Sequence, residues 1–177
     1  MKKGYITFFL MLFFSITNAQ FKAGKIYLKD GNIKNGLIKE RKFGGIKYKD
    51  NENSKAKPYD YKHITGYDIT EKGVVKYRYK KVGSNFPQIM KVVRLGKINL
   101  YNIIVANREI STGVKVSTSL LYFMEKNKVT IRVGRKLNKN ELKFFEDCPL
   151  LLKKIKKKEF KKKDIYKVVN FYNNNCI

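Results

Sequence analysis

The stretch "KIYLKDGNIKNGLIKE", Lys25 to Glu40, alternates apolar and polar residues through Ile26 and Leu28, breaks at Asp30-Gly31, and resumes through Ile33 to Ile38. Alternation with a period of two is the mark of a half-buried strand, and a two-residue Asp-Gly break between such runs predicts a hairpin. The pattern repeats along the chain. "GIKYKD" (Gly45 to Asp50), "VVKYRYKKV" (Val74 to Val82), "IMKVVRL", "INLYNIIV", "SLLYFME" and "KVTIRVG" follow, the last two joined across Lys126-Asn127. Seven or eight short strands over residues 20–136 predict a twisted antiparallel sheet, curled or barrel-like. The polar "NENSKAKP", Asn51 to Pro58, reads as an exposed loop.

From residue 137 the period changes to that of helices. Leu142 and Phe145 share one helical face. Pro149 fits the first turn of a second helix carrying Leu152 and Ile155, with Asp147 or Cys148 at its cap. Ile165, Val168, Val169 and Tyr172 fall on one side of a third, which Asp164 can cap. The expected class is α+β: a β-rich body over 20–136 and a helical appendage over 137–177.

The first twenty residues, "MKKGYITFFLMLFFSITNAQ", carry an export pattern. Lys2 and Lys3 precede an apolar run from Tyr5 to Ile16, and Thr17 and Ala19 supply the small residues a signal peptidase requires. Residues 1–19 are therefore expected to be a signal peptide cut between Ala19 and Gln20. The apolar run falls short of the roughly 20 residues a membrane-spanning helix needs, and no cysteine follows it to carry a lipid anchor. The expected location is outside the cytoplasm: periplasmic, envelope-associated or secreted.

Export bears on the charge. The chain has 40 Lys and Arg against 14 Asp and Glu, a formal net charge of +26 over 177 residues. Losing Lys2 and Lys3 with residues 1–19 leaves +24. Such a surface attracts anions, and outside a cell these are lipid headgroups, acidic glycans and acidic proteins rather than nucleic acid. Lys153, Lys154, Lys156, Lys157, Lys158, Lys161, Lys162 and Lys163 in the appendage, with Lys76, Arg78 and Lys80 in a strand, are the candidate anion-binding residues. The competing explanation is composition: Lys, Asn, Ile, Phe and Tyr all have A/T-rich codons, and only six of the 40 cations are Arg, the residue suited to bidentate phosphate recognition. Tyr77 and Tyr79 alternate with Arg78 and Lys80, so rings and cations point to opposite faces and do not form one stacking platform for single strands.

Cys148 and Cys176 are the only cysteines, and in an oxidising compartment they are expected to form a disulfide; the alternative is two free buried thiols. No motif names a reaction, and no metal or cofactor is expected. His63 is the single histidine, with Asp60 and Asp68 nearby in sequence, but no nucleophile turn accompanies them. These two acids read better as turn and cap residues, and the adjacent Glu146 and Asp147 fit chance in a chain with 14 acids.

The segments "GKIYLKDGNIKNGLI", "YKHITGY", "GKINLY", "DCPLLLKKI" and "VVNFYNNNC" occur in an order that resembles a group of uncharacterised exported envelope proteins of Bacteroidota-type bacteria. In that group an acid is common where this chain has His63. The resemblance implies a cell-envelope context and carries over no catalytic residue. The first hairpin is also similar, over a few strands, to small barrels of the Sm type. Three functions follow in order of support: an exported non-enzymatic module binding an anionic or protein partner; an exported hydrolase; and an Sm-like nucleic-acid-binding protein, if residues 1–19 are not a signal.

Overall fold

A computed structural model describes residues 20–177 apart from positions 43, 84, 110–114, 135, 162 and 177; of 106–109, 115 and 116 it describes the backbone alone. The proposed signal segment and Ala19 lie outside the described residues. Among the described residues ten strands form one antiparallel sheet: β1 Lys22–Leu28, β2 Ile33–Glu40, β3 Ile46–Lys49, β4 Lys57–Tyr59, β5 Ile64–Thr70, β6 Val74–Lys80, β7 Gln88–Arg94, β8 Asn99–Glu109, β9 Lys115–Lys126 and β10 Val129–Val133. Their spatial order is β10-β9-β8-β7-β6-β5-β1-β2-β3-β4.

This corrects the expectation of a curled or barrel-like body. The sheet is open: β10 and β4 stand at opposite ends and do not pair with one another. Closure needs a full strand at each end with free donors and acceptors. β4 has three residues, one of them Pro58, which has no N–H to give. At the far end the sheet is loaded on one face by the helical tail.

Two local expectations also change. The β1–β2 connection is four residues, not two, because Leu28 N–H bonds Asn32 O and Gly31 N–H turns back to Leu28 O, with Gly31 at φ 91°. The loop read over Asn51 to Pro58 gives up its last two residues to β4. The β9–β10 turn is centred on Asn127 and Lys128, both at positive φ (51° and 65°), the conformation a two-residue hairpin needs to match strand twist.

In an antiparallel sheet directly paired residues share a face. On one face Ile26, Ile38, Ile46, Tyr48, Ile64, Tyr67 and Ile69 form a core at the β1–β5 end. Towards the other end of the sheet, Leu100 of β8 and Met124 of β9 pair and are covered by the tail. The tail consists of α1 Lys139–Leu142, a 3-10 turn Lys143–Phe145, α2 Pro149–Lys156 and α3 Ile165–Asn175. Asn138 caps α1 by accepting from Glu141 N–H, while buried Glu141 accepts from the Asn138 and Gly134 amides. This reciprocal box satisfies donors that a helix start otherwise leaves bare. Cys148 and Asp164 occupy the N-cap positions of α2 and α3, but neither side chain makes a capping bond. Leu151 rather than Leu152 is the fully buried residue of α2, beside Ile155; α3 buries Ile165, Val168, Val169 and Tyr172.

Candidate functional site

Two of the three strand cations proposed as anion-binding candidates, Arg78 and Lys80, are engaged within the sheet. Asp68 sits in the middle of β5, buried, and is neither a turn nor a cap residue. Arg78 of β6 donates to Asp68 Oδ1 at 2.7 Å, and Tyr27 of β1 donates to Asp68 Oδ2 at 2.8 Å. The guanidinium lies 4.2 Å from the Tyr27 ring centroid, a cation–π arrangement. Gly66 stands between Tyr27 and Arg78 in register; a Cβ there would come within 2.3 Å of Tyr77 O and 2.8 Å of the Arg78 side chain. The absent side chain is what lets Arg78 lie across β5.

Lys80 is held likewise. Its Nζ donates to both oxygens of Glu125, at 2.6 and 2.8 Å, and lies 5.1 Å from the Tyr101 ring. Asn99 Nδ2 and Tyr101 Oη donate to the same carboxylate. Burial pushes the Glu125 carboxyl up, but the bonds from Lys80, Asn99 and Tyr101 outweigh it and leave the group below its ordinary value. Burial and the bond to Glu125 raise Tyr101, so it stays a donor. Lys76 alone of the strand trio is exposed.

The tail presents its cations differently. Lys153, Lys156, Lys157, Lys158, Lys161 and Lys163 are exposed, while Lys154 is half-buried, paired with Glu159 and set 5.9 Å from the Phe171 ring. Lys162 lies outside the described residues. The surface rests on a firm base. Cys148 and Cys176 form a disulfide with Cα atoms 5.6 Å apart, closing a separation of 28 residues. Asn173 of α3 accepts from Ile98 N–H and donates to Ile98 O, both at 2.8 Å, as a neighbouring strand would. Asp147 accepts from Lys126 of β9 at 2.8 Å and from Tyr172 at 2.6 Å, bonds that hold its carboxyl below the usual range. Lys97 Nζ reaches the Cys176 carbonyl. The Asn173, Asp147 and Lys97 bonds link the sheet side to the tail, whereas the disulfide joins α2 to the end of α3 within the tail; sequence reasoning missed all but the disulfide.

The acid and histidine candidates also have a place. Asp60 Oδ1 accepts from Lys62 N–H at 2.9 Å and meets His63 Nδ1 at 2.8 Å, closing the turn before β5. Asp60 also lines a cleft of about 510 Å³ together with Arg41, Gly45, Tyr61, Tyr79, Pro87, Ile89, Ile103 and Val105. The Tyr79 hydroxyl beside it is buried without a hydrogen-bond partner of good geometry. Burial and the Asp60 charge raise its pKa, with a weaker opposing pull from the Gly45 amide. His63, however, is 58% exposed on its side chain and packs edge-on against Tyr59. A triad needs a hydroxyl or thiol on the ring's other nitrogen and burial of the acid, whereas this acid is 40% exposed. The arrangement makes a capped turn. Glu146 is exposed while Asp147 is bonded to Lys126 and Tyr172, so those two carboxylates do not face one another as a hydrolytic pair. Among the described residues no group of three or more His, Cys, Asp or Glu is arranged to hold a metal, and no helix is long and apolar enough to cross a membrane.

Comparison with known protein families, with characterised proteins and with solved structures gives no match.

Proposed function

We propose that this chain is an exported, non-enzymatic envelope module that docks on an anionic surface through the lysines of its C-terminal tail. The observation that carries the reading is the division of the cations: Arg78 and Lys80 are neutralised by Asp68 and Glu125, whereas Lys153, Lys156, Lys157, Lys158, Lys161 and Lys163 face solvent. The export pattern of residues 1–19, the tail disulfide and the resemblance to envelope proteins support the compartment, where a disulfide persists. Codon composition explains many lysines, but not a tail cross-linked within itself by a disulfide and held to the sheet side by three polar clamps. A rigid base makes a basic surface a better docking face because less entropy is lost on contact.

The test is co-sedimentation with vesicles containing anionic phospholipid against purely zwitterionic vesicles. Binding is expected to the anionic vesicles alone, to fall steeply between about 50 mM and about 500 mM salt, and to drop several-fold when Lys153, Lys156, Lys157 and Lys158 become Gln. Equal binding to both vesicle types, or binding indifferent to salt, overturns the proposal.

A further inference from the structure

In a chain of which 31% is charged, positions 98–107 ("INLYNIIVAN") and 116–124 ("VSTSLLYFM") carry no charge. They are the facing halves of β8 and β9. β7 pairs with β8 up to Lys91↔Asn102, and β10 pairs with β9 up to Val133↔Tyr122. Past those positions β8 and β9 run on as a ribbon in register with one another, from Ile103↔Leu121 to Glu109↔Lys115. Ile104 and Leu120 stand directly opposite within it, 71% and 48% exposed. They continue the face on which Leu100 and Met124 lie under the tail, so one apolar stripe is covered at one end and bare at the other.

A two-stranded ribbon is marginally stable in water and gains from a further layer on its apolar face. The charge of the chain says what that layer is. An acidic partner is drawn to the lysine surfaces and gains little from a neutral aliphatic pair. A second copy is repelled at every lysine surface, and the uncharged part of the ribbon, up to position 107 on β8 and from 116 on β9, is where two such chains can touch without opposing like charges. An Ile–Leu pair is also self-complementary about a two-fold axis. We propose that a second copy of this chain packs on the Ile104–Leu120 face of the β8–β9 ribbon, forming a symmetric dimer. This rests on the ribbon alone and is independent of lipid docking.

The experiment is sedimentation equilibrium on the chain from Gln20, which contains every described element, over a concentration series at low and high salt. The expected result is a monomer–dimer equilibrium that tightens from about 50 mM to about 500 mM salt, as repulsion between two basic chains is screened. Ile104→Lys is expected to raise the dimer dissociation constant at least about tenfold, with Ile104→Thr as the milder strand-compatible variant should the first fail to fold. Leu150→Lys, at another exposed apolar residue, on α2, should leave it unchanged. A monomer at all concentrations and both salts overturns the proposal. So does a dimer that loosens with salt, or one that Leu150→Lys weakens as much as Ile104→Lys, because either moves the contact to the basic tail.

Discussion

Glu125 collects Lys80, Asn99 and Tyr101 on one half-buried carboxylate, and its stability contribution has a definite sign. Burial alone would raise its pKa; the three donors more than offset this, so the folded value lies below the ordinary 4.5. A carboxylate depressed in the folded state contributes stability that is complete above its ordinary value and is lost as pH falls through the folded one. Glu125→Gln also leaves the Lys80 ammonium, 23% exposed on its side chain, without its counter-charge. The variant is expected to unfold about 1 to 3 kcal/mol more easily at about pH 7. The gap to the parent should narrow below pH 4.5 as the parent's own carboxylate protonates. Urea titrations across that range measure it, and a gap constant with pH would show that Glu125 acts by shape rather than charge. None of this is legible from the sequence, where Glu125 is a polar residue near a strand end and Lys80 lies 45 positions away. Asp68 is misread for the same reason: its partners Tyr27 and Arg78 flank it in space, on β1 and β6.

At the scale of elements, periodicity foretells what depends on local pattern. The buried face of α3, Ile165, Val168, Val169 and Tyr172, is the face its spacing indicates, and the Cys148–Cys176 pairing follows from there being two cysteines. The capping box Asn138-x-x-Glu141 was a readable signal that the strand-and-helix pattern overshadowed. The β1–β2 connection and β4 were less accessible, because loop length and a three-residue strand are decided by the partner strand rather than by local alternation. The disulfide cross-links α2 to the end of α3 within the tail, and on the loop-entropy model a closed loop of this length is worth about 3 to 4 kcal/mol. Cys148→Ala with Cys176→Ala is expected to lower stability by that order. It should expose the lysine run between α2 and α3 to trypsin before any site in the sheet. Limited proteolysis followed by mass spectrometry reads the order of cuts. An unchanged cleavage rate would mean that the Asn173–Ile98 and Asp147–Lys126 bonds hold the tail without the bridge.

For the whole molecule, the sum of local readings gave strands and an appendage but not closure, since whether a sheet closes is decided by its two outermost strands. Here one end terminates in the three-residue β4 with Pro58 and the other carries the tail. A chain bearing a formal charge of +26 meets two opposing electrostatic effects. Exposed lysines repel one another in the compact state. The Arg78–Asp68 and Lys80–Glu125 pairs attract, but they are set within the sheet, their acids 8% and 12% exposed, where salt screens little. Added salt therefore weakens the repulsion more than the attraction, the screening length falling to about 10 Å at 0.1 M. The melting temperature is expected to rise by about 2 to 5 °C between about 20 mM and about 500 mM sodium chloride. Replacing exposed tail lysines by Gln should raise it at low salt and reduce the increment. Chloride is the proper salt for the test, because sulfate strengthens burial by exclusion from the surface and would confound the reading. A melting temperature that falls with chloride would place the balance with the internal ion pairs, and the lysines would then be spaced widely enough to cost the fold little.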